Sequence, residues 1–131
     1  MATTSTMQHT IAREVTLKGV GLHTGKEVTL KFIPAPEDHG YVFQRIDLPE
    51  SPLVPADAQY VENTQRGTNL NKEGVHINTS EHVLSALVGL EIDNVLIQLD
   101  APEPPIMDGS AKFFVEALES AGLVEQQKPR Y

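Results

Sequence analysis

The sequence predicts an α+β fold, a two-layer sandwich in which a mostly antiparallel sheet carries two helices packed on one face. Three observations lead there. Short segments of alternating apolar and polar residues dominate the chain up to residue 78. Two longer segments, 79–90 and 110–122, place apolar residues at helical spacing instead. The order of elements is a run of strands, a helix, a strand and a helix. That order lacks the regular β–α alternation of a parallel doubly wound sheet.

Residues 9–18, HTIAREVTLK, alternate loosely and read as a strand with one buried face. Three glycines between Gly19 and Gly25 mark a turn, and VTLKFIP at 28–34 resumes the alternation. The pair reads as an antiparallel hairpin whose enlarged loop carries Leu22 and His23. PAPEDHG is a turn by composition and YVFQRI a third strand. LPESPLVPA, with three prolines, reads as an extended connection. ADAQYVENT, GTNLN and VHIN are strand-like. The first helix then starts at Thr79 or Ser80, either of which is a fitting N-cap. Val83, Leu84, Leu87 and Leu90 form one stripe along it. NVLIQLD at 94–100 is a strand and APEPPIMDG a proline-rich loop. SAKFFVEALESAG is the second helix, with Ser110 as N-cap and Gly122 closing it. Residues 1–7 read as a disordered or appended tail, 8–125 as one domain, and 126–131 as the start of a truncated interdomain linker.

Composition narrows the function classes. Ten basic against eighteen acidic residues give a formal charge of −8. That balance argues against a nucleic-acid or anionic-membrane surface, since both need dense Lys/Arg patches. No cysteine is present, which excludes disulfides, thiolate nucleophiles and zinc-finger sites. The opening MATTSTMQHT has neither the charged nor the apolar region of a signal peptide. No apolar run approaches the ~18–20 residues of a transmembrane segment.

The candidate chemistry centres on Glu81-His82 in TSEHVLSALVGL. A helix N-terminus favours carboxylates and lowers the pKa of a neighbouring His, and a neutral imidazole is the form that binds metal. A carboxylate beside it is placed to serve as general base toward a metal-bound water. The residues alone leave packing, metal ligation and acid–base chemistry open, because one His with no second ligand at i+4 does not make a zinc site. GVGLHTGK fits neither GxxxxGK[ST] nor GxGxxG, so it reads first as a turn and second as a pocket lining. PIMDGS reads first as a turn with an N-cap, although its position before a helix also suits a binding loop. His9, His39 and His76 stand on strand or turn surfaces without ligand spacing.

Four segments, GVGLHTGKEVTL, VPADAQYV, NTSEHVLSALVGLEIDNV and APEPPIMDGSAKFFVEAL, together resemble the N-terminal half of UDP-3-O-acyl-N-acetylglucosamine deacetylase, a zinc-dependent family of lipid A biosynthesis. The resemblance covers residues 8–125. It implies two similar domains, each a sheet with two helices, meeting around an active site. It also implies His82 as a zinc ligand and Glu81 as the catalytic base. Leu22 and His23 match a loop at the mouth of the acyl-chain passage, and Arg66, Gly67 and Thr68 match a strand near the zinc. The remaining ligands, a His and an Asp four residues apart, belong to the second domain, beyond Tyr131.

The implied partners are therefore the UDP-sugar substrate and a C-terminal domain of the same enzyme, in a cytoplasmic protein. Some family members are fused to a hydroxyacyl-carrier-protein dehydratase. The chain alone is expected to bind Zn²⁺ weakly or not at all, to be inactive, and to self-associate through its uncovered helices. The alternative is a non-catalytic α+β binding module that uses the helix face for a partner.

Overall fold

The computed structural model describes residues 7–64 and 67–130. Its strands are β1 (Met7–Ile11), β2 (Val15–Val20), β3 (Glu27–Pro34), β4 (Tyr41–Arg45), β5 (Leu53–Pro55), β6 (Val61–Thr64), β7 (Gly67–Lys72), β8 (Val75–Ile77), β9 (Val95–Leu99) and β10 (Leu123–Pro129). The helices are α1 (Glu81–Gly89) and α2 (Lys112–Ala121). As the sequence predicts, this is an α+β two-layer arrangement with mostly antiparallel pairing.

The main sheet has the order β2-β3-β9-β4-β5. Its centre follows from the period-2 pattern of β3, where Val28, Leu30 and Phe32 are all fully buried. Leu30 stands opposite Leu17 on one side and Leu99 on the other, and Phe32 opposite Ile97. Val83, Ala86 and Leu87 of α1 and Phe114, Leu118 and Ala121 of α2 join this apolar face in one core. The opposite face is polar, with Gln98 donating to Gln44 across the one parallel pair, β4 with β9. β6, β7 and β8 form a separate three-stranded sheet. Arg45 ties it to the main sheet by donating Nη1–H to the carbonyl of His76. Among the described residues no helix is long and apolar enough to cross a membrane.

Several elements differ from the sequence reading. The segment 9–18 is two strands, broken where Ala12 donates its N–H to Gly122 O. β1 pairs with β10, not with the hairpin. The polar tail read as linker is thus a strand from Leu123 to Pro129, and Met7 already pairs with Pro129. Nearly all of its side chains face solvent, so no apolar alternation announced it. Backbone pairing and an amide cluster hold it instead, with Asn94 donating to both Gln8 and Gln126. The proline-rich connection contains the short edge strand β5, where Pro55 is tolerated because an edge strand leaves half its N–H groups unpaired. Ala58–Tyr60 is a 3-10 turn capped by Asp57, so the strand after it starts only at Val61.

Candidate active site

Neither expected cap works as such on α1. Ser80 precedes the helix but makes no side-chain cap. Its hydroxyl and its N–H both donate to the carbonyl of Thr68, at 3.0 and 2.9 Å. Thr68 in turn donates its N–H to Glu81 Oε2 at 3.2 Å. Thr79 donates its N–H to Asn69 Oδ1 at 2.9 Å, and Asn78 to Pro102 O at 2.7 Å. The start of α1 is thereby stitched to β7 and to the proline-rich loop, which fixes the direction of the two side chains that follow. On α2, Ser110 accepts the Lys112 N–H and donates to Asp108, and Ala111 occupies the cap position.

Glu81 and His82, both half-buried, line a cavity of about 160 Å³. Thr79 adds a third polar wall, and Leu22, Val83, Pro104, Pro105, Ile106 and Phe114 make the rest apolar. A lining that combines Glu81, His82 and Thr79 with apolar side chains suits a ligand with a polar reacting group and a hydrocarbon portion. The proline-rich loop is held against the β2–β3 turn by a bridge between Gly21 and Pro105 and by Ile106 N–H to Val20 O at 2.8 Å. Two glycines make the close approach possible, Gly19 near the end of β2 and Gly21 in the turn. A Cβ on Gly19 would lie 2.9 Å from Pro105 Cβ, and one on Gly21 3.0 Å from the Glu103 carboxyl carbon.

The structure brings Leu22, Glu81 and His82 together in one cavity. His23 lies on the adjoining loop with its side chain outward. Thr68 supports Glu81 through its backbone and is not among the residues lining the cavity, and Gly67 pairs with Thr64 at the start of β7. Arg66 lies outside the described residues. Two features of interest were not read from the sequence. Glu103, only 2% exposed, takes the N–H groups of His23 and Thr24. Thr79 has φ +54°, unusual for a β-branched residue, and its buried hydroxyl has no hydrogen-bond partner among the described residues. A Glu enclosed by prolines was the only available signal for the first, and nothing marked the second.

A wider hollow of about 570 Å³ lies at Gln8, Asp38, Asp93 and Arg130. Its polar groups bond one another, Arg130 to Asp93 and Gln8 to Asp38, which makes it a structural network. Among the described residues no three His, Cys, Asp or Glu side chains are grouped to hold a metal ion.

Residues 8–131 match the family described as LpxC, UDP-3-O-acyl N-acetylglycosamine deacetylase. The chain belongs to this family. It is 47% identical over 130 residues to a UDP-3-O-acyl-N-acetylglucosamine deacetylase of Myxococcus xanthus, with 99% of this chain and 41% of that protein covered. It is 50% identical to the protein of the same name in Xanthomonas oryzae pv. oryzae, covering 95% of this chain and 41% of the relative. A third relative, the "bifunctional enzyme LpxC/FabZ" of Chlorobaculum tepidum, is 49% identical, with 94% and 26% covered. The chain thus spans about a quarter to two fifths of the length of these relatives.

Proposed function

We propose that this chain is the first domain of a zinc-dependent deacetylase that removes acetate from UDP-3-O-acyl-N-acetylglucosamine in lipid A biosynthesis, in the cytoplasm. The observation that carries the reading is the placement of Glu81 and His82 together in the wall of a cavity otherwise lined mostly by apolar side chains. His82 is the zinc ligand contributed by this domain, and a second domain supplies the others. Zn²⁺, when bound, supplies Lewis-acid activation of a water and of the acetamide carbonyl. Glu81 accepts the proton of the attacking water. One of its oxygens is occupied by the Thr68 N–H, which leaves the other for proton transfer and fixes the carboxylate in orientation. The apolar walls exclude water from the reacting end and take the acyl portion.

The same reading gives the exposed helix residues a purpose. Val88 on α1 is 64% exposed and Phe113 on α2 37% exposed, and a second domain or a second copy would cover them. The test compares residues 1–131 with the full-length protein. The full-length protein should retain zinc through dialysis and release acetate from the UDP-sugar. The isolated domain should lose the metal, because one ligand yields little of the roughly 10 kcal/mol or more of a complete site. His82→Ala should weaken zinc binding in the full-length protein. Tight ligand binding without acetate release would instead favour the non-catalytic module.

A further inference from the structure

Glu103 places a carboxyl group in a position that is 2% exposed, and among the described residues no cation pairs with it. What satisfies it is backbone. Its Oε1 accepts the His23 N–H at 3.0 Å, and its Oε2 the Thr24 N–H at 3.1 Å, with a longer contact of 3.3 Å from His23. Buried carboxylates need such partners, since an unsatisfied one is strongly disfavoured. The fit is close enough that a Cβ on Gly21 would sit 3.0 Å from the Glu103 carboxyl carbon. Leu22 immediately precedes the two clamped residues, 53% exposed and therefore not held by packing of its own. It nevertheless forms part of the cavity wall, together with Pro104 and Pro105, the residues that follow Glu103.

We infer that Glu103 is a positioning residue for the acyl end of the substrate: by holding the amides of His23 and Thr24 it fixes Leu22 as the outer apolar wall of the cavity, and so sets which chains the cavity accepts. The inference rests on the deacetylase reading above. A surface-exposed leucine in a glycine-rich loop otherwise samples several positions, and an apolar wall that moves discriminates poorly between chain lengths.

The test uses the full-length enzyme carrying Glu103→Gln, which keeps the volume but turns one acceptor oxygen into an NH₂ that faces an N–H. The amides of His23 and Thr24 should exchange with solvent about 10-fold faster, since their opening no longer breaks charged hydrogen bonds. The ratio of kcat/KM for a long-acyl over a short-acyl substrate should fall about 10-fold, through KM and with kcat held, the scale set by a methylene or two in an apolar pocket. Zinc content should not change. Glu103→Asp, which keeps the charge on a shorter arm, should recover part of the ratio. An unchanged ratio, or unchanged exchange at both amides, overturns the inference. If Glu103→Gln fails to fold, Leu22→Ala must lower the same ratio, and a wild-type ratio there also overturns it. Wild-type enzyme releasing acetate from neither substrate would remove the deacetylase reading itself, and the substrate role of Glu103 with it.

Discussion

The backbone of Thr68 holds two consecutive residues at the start of α1, donating its N–H to Glu81 Oε2 at 3.2 Å and accepting from Ser80 through its carbonyl. A single residue of β7 thus sets both where the helix begins and how its first carboxylate points. In the full-length protein, Glu81→Gln should lower kcat by ~10²–10⁴-fold, since it removes a proton acceptor. Its amide oxygen can still take the Thr68 N–H, so melting temperature and zinc content should stay near wild type. Glu81→Ala should lose about 1 kcal/mol in addition, because that N–H is left without its partner. Full activity in Glu81→Gln would remove Glu81 from the catalytic role.

Thr79 carries a second, independent cost at the same place. Its φ of +54° is strained for a β-branched side chain, and its hydroxyl is buried without a partner. Thr79→Gly should stabilise the domain by about 1 kcal/mol in urea titrations, the relief of strain exceeding the added freedom of the unfolded chain. The same variant should lower activity, because the direction of Glu81 and His82 depends on this turn. A loss of stability would locate the strain elsewhere.

The Arg45–Asp47 pair should matter more than its surface position suggests. Arg45 is 6% exposed, and its Nε and Nη2 reach the two Asp47 oxygens at 2.9 and 2.8 Å while Nη1 donates to His76 O. Asp47→Asn should cost about 1–3 kcal/mol by leaving the guanidinium underpaired. The Arg45 hydrogen bond holds the Asp47 carboxyl below its ordinary value of 3.8. Its contribution is therefore complete above that value and lost as pH falls through the lower folded one. Acid titration of stability should show this decline in wild type and not in Asp47→Asn.

Tyr41 should govern the alkaline side. Its hydroxyl donates to Ile92 O, and burial, reinforced by Asp93, raises its pKa from 10.0 to about 12. The unfolded chain then ionises first, so this stability is intact below pH 10 and lost between about 10 and 12. Melting temperatures of wild type and Tyr41→Phe, measured across that window, should converge as pH rises. Parallel curves would show that Tyr41 does not contribute.

The fold class was legible because β3, β9, α1 and α2 each bury one face, and burial writes a period into the sequence. β10 was not, because its seven residues are held by backbone pairing and amides while their side chains face water. The break at Ala12 was equally silent, since no glycine or proline marks it. At the site, Glu81 and His82 were visible as a pair of reactive types at a helix start, but the residues alone did not choose among packing, ligation and catalysis. Glu103 and Thr79 owe their interest to tertiary partners, or the lack of them, which no local spacing encodes.

The pairing of β1 with β10 also constrains how the molecule is made. Gln8 donates to the carbonyl of Pro129, 121 positions along the chain. On a ribosome delivering residues in order, β1 emerges long before β10 and waits for it before its edge is satisfied. Contacts so distant in sequence form slowly, and an open edge in the interval invites pairing with other chains. Nascent-chain arrest before and after residue 129 has cleared the exit tunnel should therefore separate a protease-sensitive, aggregation-prone species from a resistant one, with closure of β1 on β10 as the late step.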